Sequence, residues 1–177
     1  MVSENVAPTT TDDGTQLCGS CRAHGYCRLG VGEFQLDASI TRAPVVCVEA
    51  FHAGPNVAHG GWTAAMFDDV MGRAVAQRGL RAVTGSLTVD FLKPVPVETP
   101  LTVEVVIEGR EGRKVAVTAV LRLTRDDMML AKARGTWVER RQDHFERHEA
   151  SMEAYRRRVG GEAHSESGEI GPGRSAD

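Results

Sequence analysis

Residues 60–78, GGWTAAMFDDVMGRAVAQR, decide how this chain is read. The run has no proline, is rich in alanine and methionine, and repeats its apolar residues at helical spacing. Gly79 stands where a helix end calls for a left-handed residue. At about 100° per residue, Asp69, Arg73 and Gln77 fall on one side at i, i+4 and i+8. That stripe reads as solvated, with Asp69 paired to Arg73. Asp68 falls on the other side, beside Ala64, Ala65, Met71, Gly72 and Val75. A carboxylate in an apolar stripe is expensive to bury without partners. Such a group is kept for chemistry, or it is a core carboxylate satisfied by amides. The helix alone leaves both readings open.

Downstream the period changes to two. Leu87, Val89 and Phe91 alternate with Ser86, Thr88 and Asp90. After the Lys93-Pro94-Val95-Pro96 break, Val103, Val105 and Ile107 alternate with Thr102, Glu104 and Glu108. A turn over Gly109-Arg110-Glu111-Gly112 leads to Val115, Val117, Ala119, Leu121 and Leu123. Asp126-Asp127 turns the chain again, and Met129, Ala131, Ala133, Gly135 and Trp137 form one face of a last strand. Upstream, Pro44–Ala50 is a short β-type run and 51–58 a loop. Hairpin-linked strands of period two predict an antiparallel sheet. One long apolar helix ahead of most of the strands makes the fold class α+β, with the helix packed on one sheet face. Trp62, Met66, Phe67 and Met71 read as core first and as pocket lining second.

The chain has 177 residues, enough for one domain with a sizeable core. A net charge of −3 argues against a nucleic-acid-binding face. No apolar run approaches the roughly 20 residues of a membrane helix. Residues 1–14 are polar and lack an apolar signal-peptide centre, so a cytoplasmic location is the default expectation. Residues 1–16 read as disordered and 17–140 as the domain, led in by a cysteine-bearing segment. Residues 141–158 read as a charged helix, either solvated or docked through Phe145, Met152 and Tyr155. Residues 159–177 read as a disordered tail. In Cys18-x2-Cys21-x2-His24-x2-Cys27, four soft or borderline ligands offer a structural zinc site. The spacing fits no standard finger, and the other reading is a compact loop of reduced thiols. Cys47 stands apart in an apolar run.

His59-Gly60-Gly61 sits where the helix begins. Its glycines let a ligand approach the backbone closely. First-turn amides have no intrahelical partner and point along the positive end of the dipole. A carbonyl oxygen placed there is polarised as it becomes an oxyanion. A glycine-rich turn without a ligand reads the same way, and His59 either orients a carbonyl or bonds the loop.

At these residues the chain resembles a known family. Gly54-Pro55-Asn56-Val57-Ala58-His59-Gly60-Gly61 running on to Phe67-Asp68 resembles the HGG-x6-D signature of PaaI-type hotdog thioesterases. Val83 to Pro96 and Ala131 to Trp137 are similar to later strands of the same family, and the likeness covers about residues 28–138. The resemblance implies a hotdog fold, a long helix wrapped by antiparallel sheet, in homodimers or tetramers. It implies hydrolysis of acyl-CoA, or of acyl-carrier-protein, thioesters with no required cofactor. Gly60 matches the amide that polarises the carbonyl and His59 the neighbouring histidine. Asp68 matches the acid that activates water or attacks, and Thr84 a hydroxyl that holds the water or the acid. Many members carry an amide side chain where this chain has Ala53; His52 and Asn56 flank that position, and Asn56 and Gly61 join the expected substrate contacts.

Gly60 and Asp68 are eight residues apart, about 12 Å along one helix. A reacting atom must lie about 3 Å from both donor and attacking group. One helix cannot easily supply both, so the expected site joins Gly60 of one subunit to Asp68 of another. A hotdog dehydratase is a weaker reading, because no second histidine lies in the helix. A non-catalytic acyl-CoA-binding protein is the other alternative. Arg81, Arg110, Arg113 and Lys114 are candidates for a phosphate-binding rim. The acyl group is left open.

Overall fold

The computed structural model describes residues 10–12, 14–141 and 143–165, with backbone alone for 144–146 and 159–165. It divides into two units, Met1–Arg140 and Arg141–Asp177. The first holds α1 (Gly19–Arg22), β1 (Gln35–Leu36), β2 (Ile40–Val46), a 3-10 turn (Glu49–Phe51), β3 (His52–Gly54), β4 (Val57–Ala58), α2 (Gly60–Gln77), β5 (Ala82–Phe91), β6 (Pro100–Glu111), β7 (Lys114–Leu123) and β8 (Met129–Glu139). Six strands form one antiparallel sheet in the order β1-β2-β6-β7-β8-β5, and β3 and β4 make a separate hairpin.

The period-two pattern becomes burial. Leu101, Val103 and Val105 of β6, and Val115, Val117, Ala119, Leu121 and Leu123 of β7, are all buried. They share one core with Trp62, Met66, Phe67, Val70, Met71, Ala74 and Val75 of α2, none more than 2% exposed. Each large side chain so buried contributes roughly 1.5–3 kcal/mol. Trp62, Met66, Phe67 and Met71 are therefore core, and the Trp62 indole N–H donates to Leu29 O at 3.2 Å.

Three expectations shift. First, β2 spans Ile40–Val46 rather than 44–50. Pro44 fits within it because its carbonyl accepts from Gly32 N at 2.8 Å, which turns its missing N–H away from β6. Second, the turn between β6 and β7 is only Gly112-Arg113. Arg110 and Glu111 remain in register with Val115 and Lys114, and the irregularity between Ile107 and Gly109 takes up the extra residue. Third, residues 10–16 are not featureless: Thr10 bridges Gln16, and Thr15 is buried. Residues 1–9 lie outside the described residues.

In the second unit, α3 runs His144–Ser165, seven residues past the expected end at 158. It is laced by the i,i+4 pairs Asp143–Arg147 (3.3 Å) and Glu153–Arg157 (2.5 Å). Met152 and Tyr155 are exposed, and Arg158 lies over the Tyr155 ring. The side chain of Phe145, and the tail from 166, fall outside the described residues. Among the described residues no helix is long and apolar enough to cross a membrane.

Candidate functional site

His59 caps α2 from an extended backbone (φ −63°, ψ 134°), its Nδ1 accepting from Gly61 N at 2.8 Å. That satisfies one orphan amide of the first turn. It also explains Gly61, because a Cβ there would lie 2.9 Å from His59 Nδ1. Trp62 N and Thr63 N both reach His59 O. Among the described residues Gly60 N makes no such bond, so the helix presents it as a spare donor. Of the two glycine amides expected to meet substrate, the structure commits that of Gly61 to His59 and leaves that of Gly60.

A groove of about 380 Å³ opens beside Gly60, walled by Val57, Thr63, Phe91, Leu92 and Val95 among others. The Phe91 ring lies against Gly60, 3.5 Å from where a Cβ would stand. Phe91 and Leu92 are exposed, at 57% and 47%. Alternation groups Phe91 with Leu87 and Val89 and by itself gives it no part in a site. Asn56 holds the turn between β3 and β4 at φ +59°, and its carbonyl accepts from Val97 N at 3.2 Å. A positive φ is a sufficient structural reason for asparagine there.

Asp68 lies on an exposed face of α2 that also carries Gly61 and Ala65. This corrects the expected apolar stripe: Met71 and Val75 turn fully into the core, whereas Asp68 does not. Its Oδ1 accepts from Thr84 Oγ1 at 2.6 Å. That bond depends on an irregularity in β5. Strict alternation would put Thr84 on the side of Ser86 and Thr88, which line a groove with Glu108 and Arg134. The register against β8 slips between Thr84 and Ser86, leaving Gly85 as the extra residue. The bulge turns Thr84 back toward α2. Gly85 has no room for a side chain, since a Cβ would lie 2.9 Å from Val138 Cγ2 and 3.1 Å from Thr136 O. An isolated glycine inside a strand pattern was the available signal.

Asp69 is the second correction. It is not on a solvated stripe: it pairs with Arg73 (2.7 Å), and the two side chains are only 20% and 13% exposed. Burial pushes the Asp69 carboxyl up, and Arg73 pulls it partway back. The cover is the cysteine-bearing segment. Arg73 Nη1 donates to Gln16 O, Nη2 lies 3.9 Å from Cys27 Sγ, and the guanidinium sits over the Phe34 ring. The adjacent carboxylates thus face different surroundings, Asp68 open and hydrogen-bonded, Asp69 covered and ion-paired.

Of the suggested zinc ligands, Cys21 and Cys27 are buried, while Cys18 and His24 are exposed, His24 beside the Tyr26 ring. Among the described residues no three His, Cys, Asp or Glu side chains converge as a cation site would require. Of the suggested cationic rim, Arg110 is committed to Glu139 (2.5 Å) and to Gly112 O (2.9 Å).

A family model described as the thioesterase superfamily matches residues 55–132, the stretch that holds Gly60, Asp68 and Thr84. The acyl-coenzyme A thioesterase THEM4 of Xenopus laevis is 29% identical over 85 residues, covering 48% of this chain and 38% of that protein. The chain thus spans well under half the length of the curated relatives it matches. Among solved structures, a thioesterase superfamily protein is 27% identical with a TM-score of 0.53, over 56% of this chain and 49% of the other. The PaaI protein of the E. coli phenylacetic acid degradation operon is 20% identical with a TM-score of 0.59, over 68% and 88%. At that identity the likeness speaks for the fold, an antiparallel sheet with one long central helix, the hotdog arrangement.

Proposed function

We propose that this protein, whose residues 55–132 match the model of the thioesterase superfamily, hydrolyses acyl thioesters of coenzyme A, or of an acyl carrier protein, to free acid and thiol. The observation that carries the reading is the exposed Asp68 carboxylate held by Thr84, on the helix whose first amide, Gly60 N–H, is unspent. In this reaction Asp68 takes a proton from water as the oxygen attacks the thioester carbon. The carbonyl oxygen becomes an oxyanion facing Gly60 N–H. The C–S bond then breaks, and the proton passes to the departing thiolate. Direct attack by Asp68, through an anhydride that water opens, uses the same residues.

The two groups work together only between subunits. If two α2 helices lie antiparallel with Gly60 facing Asp68, the midpoint is Ala64. Thr84 accompanies Asp68 and Phe91 accompanies Gly60, so the matching strand midpoint falls between Leu87 and Thr88. One two-fold axis thus satisfies helix and strand together. β5 supports this, being a ten-residue strand at the edge of the sheet, the kind of edge that invites a partner.

Free-thiol release from a panel of short, long and aromatic acyl-CoAs tests the reading. Asp68→Asn is expected to lose kcat by about 10³-fold or more with its fold intact. Wild-type turnover in that variant, or no release by the wild-type chain from any thioester, would overturn it.

A further inference from the structure

We propose that Cys18 and Cys21 form a peroxide-reactive dithiol, a modification site separate from the Gly60 and Asp68 machinery. Cys18 is the exposed residue preceding α1, three positions before the buried Cys21. The bond from Cys21 N to Cys18 O, 3.0 Å, closes the turn that brings the two residues together. Cys-x-x-Cys spacing is the usual framework of reactive dithiols. Cys21 is buried and its sulfur accepts from Arg28 N at 3.4 Å, so the partner of Cys18 is held in place. Solvent thus reaches one sulfur, with the other waiting beneath it.

The surroundings favour this over a bound cation. Arg73 Nη2 lies 3.9 Å from Cys27 Sγ, and its positive charge opposes a metal ion among these sulfurs. Cys47, fully buried elsewhere in the core, serves as an internal control.

The oxidant is a hydroperoxide. The Cys18 thiolate attacks the distal peroxide oxygen and the O–O bond breaks. Cys18 becomes a sulfenic acid, and the alkoxide or hydroxide released takes up a proton. The Cys21 sulfur then attacks the Cys18 sulfur, the S–O bond breaks, and water leaves. Two thiols are oxidised to one disulfide and one peroxide is reduced to an alcohol, or to water, plus water. A thiol reductant reverses the change.

The test exposes the full chain to equimolar hydrogen peroxide, alkylates it under denaturing conditions, and maps the cysteines by peptide mass spectrometry. The Cys18–Cys21 peptide is expected to lose two hydrogens and both alkylation sites, reversibly with dithiothreitol, while Cys27 and Cys47 stay alkylatable. Cys18→Ser, at an exposed position, is expected to abolish the disulfide. Cys21→Ser is expected to raise dimedone-trapped sulfenic acid at Cys18 by about tenfold. Full alkylation of Cys18 and Cys21 after peroxide, a dominant Cys18–Cys27 link, or one zinc per chain protecting these thiols would each overturn the proposal.

Discussion

Gly60 is the first residue of a helix whose cap, His59, already has the extended backbone that proline demands of its predecessor. Gly60→Pro therefore removes one N–H at a position where proline is tolerated. Its circular dichroism is expected to match wild type while kcat falls about 10²–10³-fold, as for loss of an oxyanion donor. Retained activity with the proline in place would remove Gly60 from the chemistry. Cys47 gives a residue-scale prediction about stability. Burial, aided by the negative charge of Glu98, pushes its thiol from 9.0 to about 11. A thiol that resists ionisation in the folded state stabilises the fold below the unfolded value, and that contribution is lost as pH rises from 9 through 11. Denaturation measured across this window should show a decline on the order of 2 kcal/mol, which Cys47→Ala should flatten.

At the scale of elements, the bulge in β5 decides whether Asp68 is held. A methyl group at Gly85 would press on Val138 and on the carbonyl of Thr136, so Gly85→Ala is expected to shift the bulge and swing Thr84 away. Stability should drop by about 1–3 kcal/mol and kcat by about tenfold, read by urea titration beside thiol-release kinetics. A stability loss with kcat unchanged would mean the bulge does not aim Thr84. The limit of sequence reading lies here too. Alternation in β6, β7 and β8 and the helical period of 60–77 were legible because burial enforces them. The partner of Asp68 was available only from a family likeness, because one unpaired residue reverses which side of the strand Thr84 takes. Asp69 was misread for a related reason: a helical wheel shows which residues share a face, not what distant segment covers it.

For the whole molecule, the proposed pairing of Gly60 with Asp68 across two copies can be tested directly. Refolding Asp68→Asn chains with Gly60→Pro chains is expected to restore about a quarter of wild-type activity, because half the dimers are mixed and each mixed dimer holds one intact site of two. Activity no higher than the sum of the two variants alone would place both groups in one subunit. The architecture was readable from the order of one helix and four strands. The placement of α1 and the cysteines against α2 was not, because it rests on Arg73 reaching a backbone carbonyl 57 residues away.

That reach sets a lower limit on what can be cut away. The segment ahead of the matched stretch 55–132 supplies Leu17, Cys21, Cys27, Val31, Val45 and Cys47 to the core. It also works as insulation, keeping Asp69 and its counter-ion out of the water that Asp68 faces. A fragment trimmed to the recognisable domain would strip that insulation, leaving two neighbouring carboxylates in one solvent-exposed field on an unlined helix. The smallest unit of this protein that can hold Asp68 alone is therefore larger than the stretch 55–132 that the family model matches.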